Sequence, residues 1–428
     1  MAQVSIPFGQ RTVQCYIPDD RLLGVLRPAT QAKTTVSEQQ KIVKQALLHP
    51  IGSPSLQALS KDKNKILIIT SDHTRPMPSK ITMPLLLEQI RLGNPAAKIH
   101  ILVATGFHRL TTQDELLSRF GREIVENETV LVHNARDPQS MHRFGTLPSG
   151  GALLLNAEAA WADLVLSEGF IEPHFFAGYS GGRKSILPGI ASQETVFYNH
   201  NAEFIHHPAA HSGSLAENPI HKDMVYAAKQ AHLQFILNVC LNEEKQIVRA
   251  FAGDFEKAHA AGCAYVETQT SVSTDQQADI VITGNGGSPL DLNIYQSVKC
   301  MSGAEPCVRP GGVIIALCSC YDGHGSQGFY DLFQQYKIPD ALMQALLEKP
   351  RSETVADQWQ AQILARVLQK AHVILVTDQC SETLVRSFGL LHAQDFSRAM
   401  EMAEAIVGKQ STVLCMPNGV ELMAQIRA

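Results

Sequence analysis

Four short polar clusters carry the side chains best equipped for chemistry, and each follows a strand-like apolar run. In open α/β sheets ligands gather beyond the carboxyl ends of strands, so that shared position is itself a functional signal. The first cluster, Asp72-His73-Thr74-Arg75, follows the run 65–70. Arg75 can fork onto a carboxylate or phosphate, and the amides opening the next helix can meet an anion. A capped turn with Asp72 as N-cap and a surface arginine accounts for the same residues without function. The second cluster, Ala104-Thr105-Gly106-Phe107-His108-Arg109, brings His108 to a sheet rim, where a proton carrier is useful. A solvated loop histidine is the plainer account.

The third cluster, spanning 168–189, is the richest. His174 precedes Phe175 and Phe176, which lower the local dielectric, and GYSGGRKS sets Lys184 beside Arg183 and a glycine pair. The segment lacks the Gly-x-x-x-x-Gly-Lys-Ser/Thr spacing of a nucleotide triphosphatase loop. Lys184 reads either as a lysine of depressed pKa able to join a cofactor covalently or as part of an anion-binding loop. His200 follows, then His206, His207 and His211. Imidazole suits nickel, zinc and copper. With no His-Glu-x-x-His pattern here, one liganding histidine is expected rather than a protein cage, and a hydrolytic zinc site is disfavoured. The fourth cluster is Gly286-Gly287-Ser288-Pro289 followed by Tyr295-Gln296-Ser297-Val298-Lys299. Gln296 and Lys299, at i and i+3, share one helical face, either near a cleft or simply exposed.

Positioning these clusters takes buried strands. Apolar, β-branched runs at 65–70, 98–104, 129–133, 163–167, 279–283, 312–318 and 371–376 alternate with helical patterns. That alternation predicts parallel sheets covered on both faces, a doubly wound α/β architecture. Helical stretches at 254–270 and 392–408 bracket the second set of strands, and a late strand at 411–415 is expected to return to the first domain. The expected division is an N-terminal α/β domain over 1–253 plus 409–428 and a C-terminal α/β domain over 271–391. Hinge helices over 254–270 and 392–408 would join them, with the active site in the cleft between.

The 428 residues are 45% hydrophobic and 18% charged, a globular composition. With 36 Lys and Arg against 41 Asp and Glu, a net charge of -5 and no basic stripe, a nucleic-acid role has little electrostatic support. No apolar stretch has the length of a bilayer-spanning helix and the start does not read as a signal peptide, so a cytoplasmic protein without a membrane partner is expected. Nine scattered cysteines read as reduced thiols. Cys318 and Cys320 read as small core hydrophobes at a strand end.

Together, SDHTRPMPS, ATGFHR, EPHFFAGYSGGRKSILPGIAS with His200 behind it, LDLNIYQSVK and Trp359-Gln360-Ala361-Gln362 resemble the lactate racemase family, whose members use the nickel-pincer nucleotide. Five motifs in one order, running over most of the chain, have a specificity that none has alone. The resemblance implies two α/β domains and a racemase of a small 2-hydroxy acid. It implies Ni-pyridinium-3,5-bisthiocarboxylate mononucleotide joined covalently to Lys184, with His200 as the one protein ligand to nickel. His108 and His174 then fall at the paired acid/base positions. Asp72, His73, Thr74 and Arg75 fall in the segment that contacts the cofactor and the site. By the same resemblance Arg75, Gln296 and Lys299 would hold the substrate, and Trp359 would line the cleft. Proteins that synthesise the cofactor are implied partners.

The reaction explains the residue types. The C2 hydrogen of a 2-hydroxy acid is too weakly acidic for a histidine to remove as a proton alone. Leaving as hydride, while the hydroxyl loses its proton, it needs an electrophile that no side chain provides. Two histidines can then serve the hydroxyl proton of either enantiomer, and cationic Arg75 and Lys299 can hold the carboxylate. The same machinery would also suit a larger acid (malate, an aryl-lactate or a sugar acid). A carrier without turnover would need Lys184 and His200 but not Gln296 and Lys299. An NAD dehydrogenase is disfavoured, because no Gly-x-Gly-x-x-Gly follows an early strand.

Overall fold

The structure, a computed structural model, describes residues 1–427, which divide into two compact units. The first unit comprises Thr30–Asn199 and Ala209–Thr268, and the second comprises Met1–Ala29, His200–Pro208 and the chain from Gln269 onward.

The first unit is built on a six-stranded sheet in the order Ile247–Gly253, Leu233–Leu241, Leu164–Phe170, Lys65–Ser71, Lys98–Ala104, Thr129–Val132. Every pairing is parallel except that of the edge strand 247–253. Strand 164–170 is buried along its whole length and strand 65–71 along most of it, which is why they read as unbroken apolar runs rather than alternating ones. Ile66, Ile68, Ile101, Val103 and Leu166 join Val43, Met83 and Leu86 from two helices, Val36–Leu48 and Ser79–Gly93, in one core. Glu168 is buried inside this layer and accepts hydroxyl bonds from Thr70, Ser79 and Thr82, each at 2.6 Å. Those bonds tie the two central strands to helix 79–93. From strand 65–71 the chain builds outward to 98–104 and 129–132, then reverses to build 164–170 and 233–241 on the other side. The reversal falls between 65–71 and 164–170, the point where such sheets bind ligands.

The second unit holds a six-stranded parallel sheet in the order Leu391–Ala393, His372–Val376, Val308–Leu317, Ala278–Gly284, Val413–Met416, Leu22–Val25. An antiparallel hairpin, Ala2–Phe8 with Arg11–Ile17, contributes Val4, Ile6, Phe8, Cys15 and Ile17 to its core.

Three boundary expectations are corrected here. Strand 413–416 does not return to the first domain: Val413, Leu414, Cys415 and Met416 pair with Ile280 to Thr283. All four are buried, so the strand needs a neighbour on each side, and Leu22–Val25 supplies the second. The first 29 residues and the C-terminal segment therefore belong with the second sheet. Nor is the 392–408 stretch a connector. Its helix, Phe396–Val407, buries Phe396, Ala399 and Ala403 in the second unit's core. Among the described residues no helix is long and apolar enough to cross a membrane. All nine cysteines are buried free thiols, and burial raises both Cys318 and Cys320 well above the ordinary thiol range.

Candidate active site

The loop leaving strand 65–71 is organised by Asp72, which is 1% exposed. Its Oδ1 accepts from the amide of Thr74 at 3.1 Å and from the Thr74 hydroxyl at 2.6 Å, closing a tight turn. Asp72 therefore caps this turn and not the following helix, which starts at Ser79 after an N-cap Pro78 with no side-chain bond. Its Oδ2 meets His108 Nδ1 at 2.7 Å. Burial pushes the Asp72 carboxyl up. The bond to His108, the charges of His108 and Arg75, and the Thr74 hydroxyl outweigh it and hold the group at about 2. As a carboxylate Asp72 can only accept, so His108 Nδ1 donates and the neutral ring keeps its lone pair on Nε2. The His108 side chain is 44% exposed.

His73, from the same loop, has Nδ1 3.1 Å from the Thr111 hydroxyl, and burial lowers its pKa. Arg75 donates to Thr74 Oγ1 at 3.0 Å. Beneath the loop, Arg119 of helix Gln113–Phe120 donates to the carbonyls of Asp72 (2.5 Å), Arg75 (2.8 Å) and Met77 (3.2 Å). One guanidinium thus pins the loop's backbone.

Beyond strand 164–170 the chain forms a small hairpin, Pro173–His174 paired with Gly178–Tyr179. His174 stacks on Phe175 at 5.0 Å and meets Phe176 edge-on at 4.5 Å. Its Nδ1 accepts from the Ala177 amide at 3.2 Å and, more weakly, from Phe176 at 3.5 Å. Lys184 sits half-buried on the 3-10 turn Gly182–Ser185, with Nζ 5.8 Å from the Phe176 ring centre. Phe176 therefore touches both His174 and Lys184. The turn requires its glycines: Gly181 and Gly182 have φ of +78 and +51, and a Cβ at Gly182 would fall 2.8 Å from His259.

In the second unit His200 is 4% exposed and meets Trp359 edge-on at 5.4 Å. Trp359 Nε1 donates to the Tyr295 hydroxyl at 3.2 Å, which in turn donates to Asp357 at 3.1 Å. Tyr295 lies on helix Ile294–Ala304, capped by Asn293, beside Gln296. Gln296 and Lys299 are both half-buried on that helix, while Ser297, Val298 and Cys300 between and after them face the core. Among the described residues no group of three or more His, Cys, Asp or Glu side chains is placed to hold a metal ion.

Of the residues singled out from the sequence, Asp72, Thr74, Arg75 and His108 form one bonded group, and His174 and Lys184 share a phenylalanine. His200 and Trp359 are in contact. His73 is turned to Thr111. Arg119 and Asp357 escaped the sequence reading, and Arg183 and Tyr295 were named there without the roles their bonds give them. Arg119 and Arg183 act through bonds to backbone carbonyls, which leave no spacing signal. Tyr295 stood inside a quoted motif, and only its hydroxyl's partners give it weight. Asp357, at φ +63, opens helix Gln358–Lys370 from a left-handed conformation that an acidic residue seldom advertises.

Comparison with known proteins finds matches that cover 99% of this chain. Residues 8–213 match the lactate racemase N-terminal domain and residues 273–424 match the lactate racemase C-terminal domain. Lactate racemase of Thermoanaerobacterium thermosaccharolyticum is 50% identical over 425 residues, covering 99% of this chain and all of that protein. Lactate racemase of Lactiplantibacillus plantarum is 45% identical over the same length and coverage. The lactate racemase apoprotein structure from the former organism superposes with a TM-score of 0.96 over 99% of this chain and 100% of its own. A Thermotoga maritima structure, 18% identical with a TM-score of 0.65 over 94% of this chain, shares the fold.

Proposed function

The chain belongs to the lactate racemase family and is a racemase, and we propose that it interconverts the enantiomers of lactate using a nickel-pincer nucleotide. In this reading Lys184 is the covalent attachment residue, and His200 is the protein ligand to nickel. The residues suit the group. Lys184 is half-buried on a turn whose glycines fit closely against their neighbours. His200 is a buried imidazole, and with no side-chain cage among the described residues, further donors to a metal there would come from the cofactor itself. When bound, the cofactor supplies the electrophile that takes hydrogen and its electron pair from C2, chemistry beyond any side chain.

The chain's own residues handle the rest. His108 receives the hydroxyl proton at Nε2, and the imidazolium so formed is stabilised by the Asp72 carboxylate on Nδ1. His174 serves the hydroxyl of the other enantiomer. Arg75 and Lys299 hold the substrate carboxylate, Gln296 bonds its oxygens, and Trp359 lines the pocket and excludes water. Asp72, His73 and Thr74 contact the cofactor.

The observation that carries the reading is the gathering of His108 on Asp72, with His174 and Lys184, beyond the carboxyl ends of adjacent strands at the reversal point of one sheet. The test is to produce the chain together with proteins that synthesise the cofactor, then measure intact mass, nickel content and the optical rotation of a single lactate enantiomer. Racemisation by protein carrying a mass adduct on Lys184 and equimolar nickel is expected. Protein that stays free of both overturns the cofactor assignment, and loaded protein that racemises only other acids overturns the substrate.

A further inference from the structure

Arg183 is the bulkiest of the fully buried side chains, 1% exposed, yet no carboxylate pairs with it among the described residues. Its donors go to neutral acceptors. Nη2 donates to the Ala177 carbonyl at 2.7 Å, Nη1 to the Tyr179 carbonyl at 2.7 Å and to Gly181 at 3.3 Å, and Nε to His221 Nδ1 at 3.0 Å. Nη1 also lies 3.1 Å from His259 Nε2, which faces the Ser180 carbonyl at 2.9 Å. Burial draws the guanidinium down to about 10, and the nearby cation helps draw His221 down to about 3 after burial has lowered it. A buried cation without an anion is costly, so a feature that keeps it calls for a return elsewhere.

Ala177 shows where that return falls. Its carbonyl accepts from Arg183 while its amide donates to His174 Nδ1. An amide aimed at Nδ1 requires a lone pair there, which puts the proton of neutral His174 on Nε2. At His108 the arrangement is reversed, because Nδ1 donates to Asp72 and the lone pair is on Nε2.

We propose that Arg183 is the positioning residue of His174: by gripping the Ala177 and Tyr179 carbonyls it holds the 175–179 turn so that His174 rests as the Nε2–H tautomer, opposite to His108. The proposal rests on the reading of these two histidines as acid and base. In the resting protein His108 then offers a lone pair to a hydroxyl proton, whereas neutral His174 offers Nε2–H as a hydrogen bond to a substrate oxygen and transfers no proton in that state. Acting as base on the other enantiomer requires it first to take up the opposite tautomer.

The experiment is nitrogen-15 correlation spectroscopy of histidine-labelled protein, at a pH where both rings are neutral, with signals assigned by His108→Gln and His174→Gln. Nδ1–H at His108 and Nε2–H at His174 are expected. The same tautomer in both rings overturns the proposal, and this result needs no arginine variant. Arg183→Lys keeps the charge but loses the fork. It is expected to give mixed tautomers at His174 and none at His108. In loaded protein it should lower kcat on lactate by about 10- to 100-fold, the cost of a small misplacement, with KM little changed. Retention of pure Nε2–H at His174 in a folded Arg183→Lys protein overturns the positioning role, and Arg183→Met gives a second reading should the lysine variant not fold. Expected tautomers in loaded protein that leaves lactate untouched would sink the functional reading while sparing this one.

Discussion

The strand ends of the two units are furnished differently. Those of the first unit hold ionised and imidazole groups fixed by short bonds: Asp72 on His108, Arg119 on three loop carbonyls, Arg183 on the His174 hairpin. The helices of the second unit present planar and amide groups, with Trp359, Tyr295 and Asp357 in a hydrogen-bonded row beside Gln296. Fixed charges suit proton transfer, because they stabilise one protonation state over another without rearrangement. The planar rings and the amide of that row suit shape and orientation. On the proposed reading the first unit supplies the proton carriers, the attachment lysine and Arg75, and the second adds His200 together with the groups that orient the acid.

Lys184→Ala should have the largest effect, removing the covalent adduct by intact mass and all turnover with it. Residual racemisation by the adduct-free variant would break the contrast at its root. Next comes His108→Asn, for which kcat should fall by about 10²–10⁴-fold with KM nearly unchanged, as expected for loss of a general acid/base. Steady-state kinetics in both directions check this, and near-normal turnover would remove His108 from the chemistry. On the other side of the comparison, Lys299→Met would delete the proposed charge-assisted bond to the substrate carboxylate, worth about 1.5–3 kcal/mol. KM for lactate should rise by roughly 10- to 100-fold while kcat moves less. A loss confined to kcat would blur the division between the units.

The smallest effect concerns stability. Asp72 is held at about 2, below the usual 3.8. A depressed carboxyl contributes stability that is present above its unfolded pKa and lost as pH falls through the folded one. Asp72→Asn should therefore cost on the order of 2 kcal/mol near neutral pH and almost nothing near pH 2. Urea unfolding of both proteins across that range would show it, and a difference that does not shrink toward acid would mean that packing, not ionisation, holds the loop.

The sheets were legible because strands such as 65–71 and 164–170 are buried on both faces and so spell continuous apolar runs. Strand 413–416 was equally legible as a strand and illegible in its pairing. Its partners Ile280 and Leu22 lie far away in sequence, and nothing local to Val413 names them. The same holds for helix 396–407, whose apolar face fits a layer as well as a connector. At the site, residues that present functional groups, such as His108 and Lys184, announced themselves by type and by position at strand ends. Residues that act on the backbone did not. Arg119 looks like any arginine in the last turn of an amphipathic helix until its three carbonyl partners are seen.

The pairing of Leu22–Val25 with Val413–Met416 also sets the timing of folding. A growing polypeptide emerges with its amino end first, yet that edge of the second sheet cannot close until Val413–Met416 has been made. Until then the earlier segment lacks its mate, a long-range pairing of the kind that slows folding and invites mistaken partners. A circular permutant that joins the two ends and opens elsewhere would shorten the wait.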